Sequence, residues 1–336
     1  MLLGVTSLAL PTSEYQAVTE ACGLVDRSQR GKLALSGSQT KSFLQGQVTN
    51  DVEALTPGEG CYAAFLTPKG KMLGDLRILD ASGLQQVAGS ASGLAGTGDA
   101  GVVQLLLDTE RVALQELFNM IRRFCIGYDV QLHKRTLQSG LVSLIGPASE
   151  QAIGITELPE AEHAHVLGGL DDVRVRMIRT DLGIDLLCDA DDTVRLLSQL
   201  AARGVPTVSE SVAECVRIEH GRPRYGIDLD AGVIPQEAGL NERAVSFTKG
   251  CFTGQELVGR LDARGSSVPW RLVRCVGANV QRVDDVLRSK GPDGPKGVTT
   301  VVATPQGVVA LGIAHRTLLD PTYLAEIDDV TVEAVQ

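Results

Sequence analysis

One short segment, residues 249–256, combines a lysine and a cysteine with the spacing of a helix start. Thr253 and Glu256 have the Thr-x-x-Glu spacing of a capping box, which predicts a helix beginning directly after Thr253. Cys251 lies two residues before Thr253, and Lys249 lies two residues before Cys251. The positive end of a helix and a nearby ammonium group both favour a thiolate over a thiol. Cys251 is therefore a candidate reactive thiolate, and a buried, inert cysteine is the alternative.

Two further segments carry charged residues that could hold a ligand. Asp181 and Asp185 flank a glycine turn that leads into a predicted strand, and a carboxylate there could accept hydrogen bonds from the N–H groups of a flat heterocycle. Arg217 and Glu219 end a predicted helix that Ser209 begins. Surface capping of that helix is the structural alternative for these two charges.

The histidines offer no metal site. His163 and His165 form an HxH pair in an acidic loop, and we interpret them as solvated loop residues rather than metal ligands. The sequence contains no zinc-protease, EF-hand, P-loop or dinucleotide-binding spacing. No metal is therefore predicted.

The charge of the chain limits its partners. Its 336 residues carry a formal net charge of −10, with a pI of about 5.1, which argues against broad binding to nucleic acid or to anionic membranes. Between residues 243 and 274, however, six basic residues stand against two acidic ones, and Arg260 is among the six. This local excess suggests an anion site, with independent surface arginines as the alternative.

The cysteines and the N-terminus indicate the compartment. The seven cysteines are odd in number and form no CxxC pair, which argues against a disulfide scaffold. The first ten residues lack the basic start of a signal peptide, and no stretch of about 20 residues is continuously apolar. We therefore expect a cytoplasmic protein with reduced thiols and no membrane segment.

Helix and strand patterns are mixed without a regular βαβ alternation, which predicts an α+β fold. Strands are predicted at 61–66 and 72–79, joined by a tight turn at 67–70, and again at 141–145 and 173–178. Asp108 is predicted to cap a helix that begins at residue 110.

Composition divides the chain near residue 266. Residues 267–336 contain three β-rich runs separated by Gly- and Pro-rich turns, which predicts a small all-β module after a core of residues 1–266. Residues 81–98 are rich in Gly, Ala, Ser and Gln, which predicts a flexible loop.

Several of these segments resemble a known family. Residues 249–256, KGCFTGQE, resemble the KGC[YF]xGQE signature of the YgfZ family, which are folate-binding relatives of the T-protein (aminomethyltransferase) of the glycine cleavage system. Weaker similarities to the wider superfamily lie at 37–51, 66–76, 217–221 and 234–238. The resemblance covers about residues 20 to 315.

The resemblance implies a fold and a cofactor. It implies a discontinuous aminomethyltransferase-like core that binds tetrahydrofolate in a central cavity, followed by a C-terminal β-barrel. By matching segments, Asp185 falls where the T-protein has a pterin-binding carboxylate, and Asp75 falls in the segment of its catalytic acid. The T-protein has two adjacent acids there, whereas this sequence has Gly74 before Asp75.

The resemblance also implies a function. YgfZ proteins are associated with the assembly or repair of iron–sulfur enzymes, including tRNA-modifying ones. The implied partners are folate or its polyglutamylated form, and iron–sulfur client proteins. Cys251 and Lys249 would then act on the client. The folate site would combine Asp185 with Arg217, Glu219 and Arg260.

Two alternatives remain open at this point. The first is a tetrahydrofolate-dependent one-carbon transferase, in which Asp75 orients or deprotonates an amine and folate accepts the methylene group. The second is a folate store without chemistry, for which neither Cys251 nor Asp75 would matter.

Overall fold

The structure is a computed structural model that describes residues 11–83, 103–155, 158–265, 267–289, 297–304 and 307–335. Most of the loop predicted at 81–98 and the proposed boundary residue Ser266 lie outside the described residues. The α-helices are α1 (Thr12–Glu20), α2 (Thr40–Gln45), α3 (Leu114–Phe124), α4 (Ser149–Ile153), α5 (Thr193–Ala202), α6 (Glu210–Glu219), α7 (Asn241–Ala244), α8 (Gln255–Asp262), α9 (Val280–Arg288) and α10 (Pro321–Leu324). The strands are β1 (Gly23–Asp26), β2 (Gly31–Ser36), β3 (Gly60–Leu66), β4 (Met72–Asp80), β5 (Val103–Thr109), β6 (Gln131–Lys134), β7 (Ser139–Ile145), β8 (His165–Leu170), β9 (Val173–Thr180), β10 (Gly183–Asp189), β11 (Trp270–Gly277), β12 (Val298–Thr304), β13 (Gly307–His315) and β14 (Val330–Ala334).

The first sheet has five antiparallel strands in the order β3-β4-β5-β2-β6. The predicted hairpin of β3 and β4 is confirmed, and the Gly70 amide donates to the Thr67 carbonyl at 2.9 Å to close its turn. Successive side chains on a strand point to opposite faces. Leu76 and Ile78 of β4 are thus buried in one core, while Asp75 and Arg77 face the other way.

Packing explains why a glycine precedes Asp75. A Cβ at Gly74 would lie 2.6 Å from Cζ of Phe65 and 2.7 Å from Cβ of Ala113. These contacts are too short for any side chain at position 74. A second acid at position 74 of β4 therefore has no room in this structure.

The second sheet also has five antiparallel strands, in the order β1-β7-β10-β9-β8. The strands predicted at 141–145 and 173–178 are confirmed as parts of β7 and β9. Helices α4 and α5 cover one face of the sheet, where Leu196 and Leu200 pack with Leu186. Leu79 of the first sheet packs against Ile178 of the second, so the two sheets share an apolar contact.

The C-terminal part differs from the prediction. Its four described strands form an open antiparallel sheet in the order β12-β13-β11-β14, and among the described residues no pairing of β12 with β14 closes a barrel. Helix α9 covers one face of this sheet, although the sequence predicted an all-β module. In the sequence VQRVDDVLR of α9, Val283, Val286 and Leu287 lie on one face of the helix. Their spacing is helical, and the sequence analysis missed it. The barrel is thus not confirmed.

The other face of the C-terminal sheet packs on the core. Leu272 and Ile313 from this sheet join Cys215 and Ile218 of α6 in one hydrophobic cluster. The division at residues 266 and 267 stays a prediction. None of the helices in the described residues combines the length and hydropathy that a membrane-spanning helix needs.

Candidate functional site

A cavity of about 200 Å³ opens between the two five-stranded sheets and the end of α6. Charged side chains dominate its wall, and the arginines and the acidic residues are equal in number. The arginines are Arg27, Arg30, Arg77, Arg217, Arg222, Arg224 and Arg243, and the acids are Asp75, Asp108, Glu110, Glu162, Asp181, Asp185 and Glu214. Burial lowers the pKa of His163, which also lines the cavity, to about 4, so its imidazole is uncharged at neutral pH. This balance favours a polar ligand with many hydrogen-bonding groups over a simple anion.

Asp75 is a buried carboxyl group on the cavity wall. The hydroxyl of Tyr62, across the hairpin on β3, donates to Asp75 Oδ2 at 2.6 Å. Burial raises the pKa of Asp75 to about 6, although the hydrogen bond from Tyr62 opposes that shift. A carboxyl group whose pKa lies near 6 can take up and release a proton close to neutral pH, as a general acid or base must.

This pKa shift predicts a pH-dependent effect on stability. Because the pKa of Asp75 rises from 3.8 to about 6 on folding, its contribution is fully present below pH 3.8 and is lost as the pH rises through 6. Asp75→Asn keeps the acceptor for Tyr62 but removes the charge. We expect the variant to be more stable than the wild type at pH 8, on the order of 1 to 3 kcal/mol. Denaturant titrations at pH 4, 6 and 8 measure this difference, and a difference that does not change with pH would contradict the assignment.

Asp185 lies on β10 opposite Ser143 of β7 in the antiparallel register. The Ser143 hydroxyl donates to Asp185 Oδ1 at 2.6 Å, and Nη1 of Arg77 donates to Asp185 Oδ2 at 2.7 Å. Each carboxylate oxygen can accept about two hydrogen bonds, so each retains acceptor capacity. The structure thus places the predicted ligand carboxylate at the cavity and holds it in a fixed orientation.

Alternating ion pairs connect Asp185 with the rest of the cavity. Nε of Arg77 donates to Asp108 Oδ2, and Asp108 Oδ1 accepts from Nε and Nη2 of Arg30 at 3.0 and 2.9 Å. These two cations lower the pKa of Asp108 to about 2 despite its burial. The prediction that Asp108 caps a helix is therefore wrong. It belongs to β5, and helix α3 begins at Leu114.

Arg217 lies at the far end of this network, on α6. Its Nη1 donates to Asp228 Oδ2 at 2.8 Å, and its Nη2 donates to Glu214 Oε2 at 2.9 Å. Asp228 Oδ1 in turn accepts from the Thr299 hydroxyl at 2.6 Å. Arg217 therefore fixes the cavity wall and also ties it, through Asp228, to the C-terminal sheet.

Two predicted folate residues lie outside the cavity. Glu219 accepts a hydrogen bond from the Tyr15 hydroxyl at 2.8 Å and lines a neighbouring cleft. Arg260 is an exposed residue of α8 that pairs with Glu256 one turn away. Of the basic set between 243 and 274, only Arg243 lines the cavity, where it pairs with Glu162. The local charge excess therefore does not form one anion site.

The cysteine segment lies away from the cavity wall. Cys251 is the only exposed cysteine of the seven, and all seven are free. The capping box predicted for Thr253 and Glu256 is wrong, because the N-cap of α8 is Gly254, with φ of 86°, and no side chain caps the helix. A left-handed backbone at this position favours glycine.

Lys249 has partners of its own. Its ammonium group donates to the carbonyl oxygens of Gln45, Val48 and Asn50, the last two at 2.8 Å. Burial lowers the pKa of Lys249 to about 8, so most of the ammonium keeps its charge at neutral pH. These contacts give Lys249 a structural role that the sequence did not reveal. Its predicted influence on Cys251 stays a prediction.

The structure also adds residues that the sequence analysis did not select. Tyr62 contacts Asp75, Arg77 contacts Asp185, and Arg30 contacts Asp108. The interpretation of the histidines as solvated is wrong, because His165 is buried and its Nδ1 lies 2.9 Å from Nη1 of Arg176. Arg77 carried a usable signal, since an arginine inside the apolar strand MLGDLRILD needs a buried partner.

Comparison with known proteins places this chain in a family. Residues 8–249 match the family model described as the GCVT N-terminal domain, and the chain belongs to that family. The aminomethyltransferase of Synechococcus sp. (strain CC9311) is 27% identical over 329 residues, which cover 94% of this chain and 82% of the relative. A putative chloroplastic transferase of Arabidopsis thaliana is 28% identical over 247 residues, covering 71% of this chain and 52% of that protein.

A solved structure supports the fold. The glycine cleavage system aminomethyltransferase T from Bartonella henselae superposes with a TM-score of 0.71 at 19% identity, covering 91% of this chain and 81% of that one. At this identity the similarity establishes a shared fold. The match to the family model confirms the predicted superfamily, while the YgfZ branch within it stays a prediction.

Proposed function

We propose that the chain binds tetrahydrofolate in the central cavity, with Asp185 as the acceptor for the pterin ring. The observation that carries this proposal is the fixed carboxylate of Asp185, which Ser143 and Arg77 orient at the cavity wall. A pterin presents two adjacent N–H donors on one edge, and a carboxylate with one free acceptor site on each oxygen matches them. The aminomethyltransferase names of the relatives support a folate ligand.

The glutamyl tail of the folate, including a polyglutamylated one, needs cations near the cavity mouth. Arg222 and Arg243 line the cavity, and their side chains are 29% and 20% exposed. Each now pairs with an acid, Arg222 with Asp181 and Arg243 with Glu162. We propose that these two arginines, rather than Arg260, bind the tail carboxylates.

Calorimetric titration with tetrahydrofolate tests the proposed site. We expect Asp185→Asn to weaken binding about 10- to 100-fold, because it removes a charge-assisted pair of hydrogen bonds without changing the shape of the side chain. Asp172→Asn is the matched control, since Asp172 is 67% exposed in the turn before β9. No binding to the wild type, or equal binding to Asp185→Asn, would refute the proposal.

We further propose that the protein is a cytoplasmic, YgfZ-type accessory factor for iron–sulfur enzymes, including tRNA-modifying ones. Support comes from the KGCFTGQE segment and from the exposure of Cys251 alone among seven cysteines. A soft thiolate suits iron. One cysteine cannot hold a cluster, so the client protein would supply the remaining ligands.

A complementation experiment tests this role. Cells that lack the protein would receive the wild type, Cys251→Ser or Cys125→Ser, and the nucleoside made by an iron–sulfur tRNA-modifying enzyme would be quantified. We expect Cys251→Ser to fall to the level of cells without the protein while still binding tetrahydrofolate. Cys125→Ser, at a half-buried cysteine, is expected to behave as the wild type. Full activity of Cys251→Ser would show that this thiol has no part in the function.

A second candidate function is a one-carbon transferase, which the geometry at Asp75 favours. The raised pKa of Asp75 and its hydrogen bond from Tyr62 suit proton exchange with an amine. Incubation with tetrahydrofolate and an aminomethyl donor would then yield methylene-tetrahydrofolate. Turnover that Asp75→Asn abolishes and Cys251→Ser leaves intact would favour the transferase over the accessory factor.

A further inference from the structure

We propose that Arg77 is a specificity-determining residue that selects a 4-oxo over a 4-amino pteridine by donating a hydrogen bond to the ring oxygen. This inference rests on the proposed folate site at Asp185. Arg77 lies in the same cavity wall as Asp185. Asp75 and Arg77 are two positions apart on β4, so both side chains point to the cavity face.

The contacts of Arg77 leave one end of the guanidinium available. Nε donates to Asp108, and Nη1 donates to Asp185 Oδ2 at 2.7 Å. Within the described part of the chain, Nη2 has no hydrogen-bond acceptor, and it is not among the atoms that are both buried and unsatisfied. Arg77 therefore offers a donor next to the carboxylate that would bind the pterin.

The edge of the pterin ring has a matching order of groups. In a 2-amino-4-oxo pteridine, the 2-amino group and N3–H are neighbouring donors, and the 4-oxo group is the next acceptor along the same edge. When a carboxylate accepts from the two donors, the oxo group lies beside that carboxylate. The guanidinium that flanks Asp185 is the group placed to donate to it.

A 4-amino analogue reverses two groups of this edge. Its N3 carries no hydrogen and would meet the Asp185 carboxylate as an acceptor, and its amino hydrogens would face the N–H groups of Arg77, which would then find no acceptor. Leaving buried polar groups unpaired costs about 1 to 3 kcal/mol each. Unpaired groups in the complex with the 4-amino analogue therefore contribute more to selection than an additional hydrogen bond to the 4-oxo ligand.

Arg77 is also held too firmly to turn away. Asp108 accepts from both Arg77 and Arg30, and the side chains of Arg77 and Asp108 are only 8% and 10% exposed. Movement of Arg77 would leave a buried carboxylate with fewer partners. The orientation of the donor is thus set before any ligand binds, which is the condition for discrimination.

The test compares tetrahydrofolate with its 4-amino counterpart, tetrahydroaminopterin, by calorimetry at about pH 8.5, where the diaminopyrimidine ring is uncharged. We expect the wild type to prefer tetrahydrofolate by at least about 100-fold, because two groups of the edge are mismatched in the analogue. We expect Arg77→Met to bind tetrahydrofolate more weakly and to reduce the preference by about 10-fold, whereas Arg77→Lys, which keeps a donor, reduces it less. Arg176→Met is the matched control, because Arg176 is also a buried arginine but contacts His165 and does not line the cavity, and we expect it to keep the full preference.

The outcomes separate this inference from the proposed function. A wild type that binds neither ligand refutes the folate site and the inference together. A wild type that binds both equally, or an Arg77→Met variant that keeps the full preference, overturns the inference and leaves the folate site standing. If Arg77→Met does not fold, Arg77→Lys takes its place, and a full preference in that variant overturns the inference as well.

Discussion

Arg217→Met is expected to lower the free energy of unfolding by about 3 to 5 kcal/mol, because it removes one partner of a buried ion pair. The side chain of Arg217 is 9% exposed, and that of its partner Asp228 is fully buried. Without the guanidinium, Asp228 keeps only the hydroxyl groups of Thr299 and Thr300 and the amide of Arg224. Those neutral donors cannot replace a charge in a buried site.

Arg260→Met is the matched control for this prediction. Both arginines were candidates for the folate site, but Arg260 is 54% exposed and pairs with a Glu256 side chain that is 84% exposed. Exposed pairs of this kind contribute about 0 to 1 kcal/mol. Denaturant unfolding followed by circular dichroism compares the two variants. Equal losses for Arg217→Met and Arg260→Met would show that the buried network does not stabilise the fold.

Lys249→Met is expected to destabilise the protein by about 2 to 4 kcal/mol. Its ammonium group satisfies three carbonyl oxygens in the turn that follows α2, and charge-assisted hydrogen bonds each contribute about 1.5 to 3 kcal/mol. Methionine keeps most of the apolar stem but lacks the ammonium group, whose nitrogen also lies 5.2 Å from the centroid of the Phe252 ring. The carbonyl groups of Gln45, Val48 and Asn50 would then need other donors.

Cys251→Ser provides the comparison within the same segment. Cys251 is exposed, so we expect its replacement to change the free energy of unfolding by no more than about 0.5 kcal/mol. Thermal unfolding of the two variants measures the difference. If Lys249→Met is as stable as Cys251→Ser, the role of Lys249 is chemical and its hydrogen bonds do not stabilise the fold. The KGCFTGQE segment would otherwise combine one structural and one chemically available residue.

Local patterns predicted the elements well where hydrophobic spacing was clear. The hairpin of β3 and β4 follows from two apolar runs around a Thr-Pro-Lys-Gly turn, and the structure confirms it. The helix α9 was missed because only four of its residues are buried and charged residues interrupt the run. Its N-cap, Asn279, accepts from the Arg282 amide and was a usable signal.

The site was harder to predict than the fold because its contacts join distant parts of the chain. The choice of Asp75 came from the resemblance, which also selected Asp185 from the pair Asp181 and Asp185, and both chosen residues line the cavity. The roles of Asp108 and Lys249 were not visible, since an aspartate before a helix-like run suggests a cap and a lysine near a cysteine suggests activation. Only the partners of Asp108 and Lys249 in distant parts of the chain distinguish a structural role from capping or activation. For Arg77 the sequence did indicate a buried partner, because it is a charged residue inside an apolar strand.

The length of these connections has a consequence for biosynthesis. Arg77 and Asp185 are 108 positions apart, Asp228 and Thr299 are 71 apart, and Lys249 reaches back 204 positions to Gln45. Long-range pairings form slowly, because the entropy of closing a long loop must be overcome before any contact offsets it. On the ribosome, the hairpin of β3 and β4 can form early, but Arg77 lacks its partner Asp185 until β10 has emerged. A nascent chain stalled after α5 would therefore hold Asp185 without α6 and Arg217, and could not yet enclose a ligand.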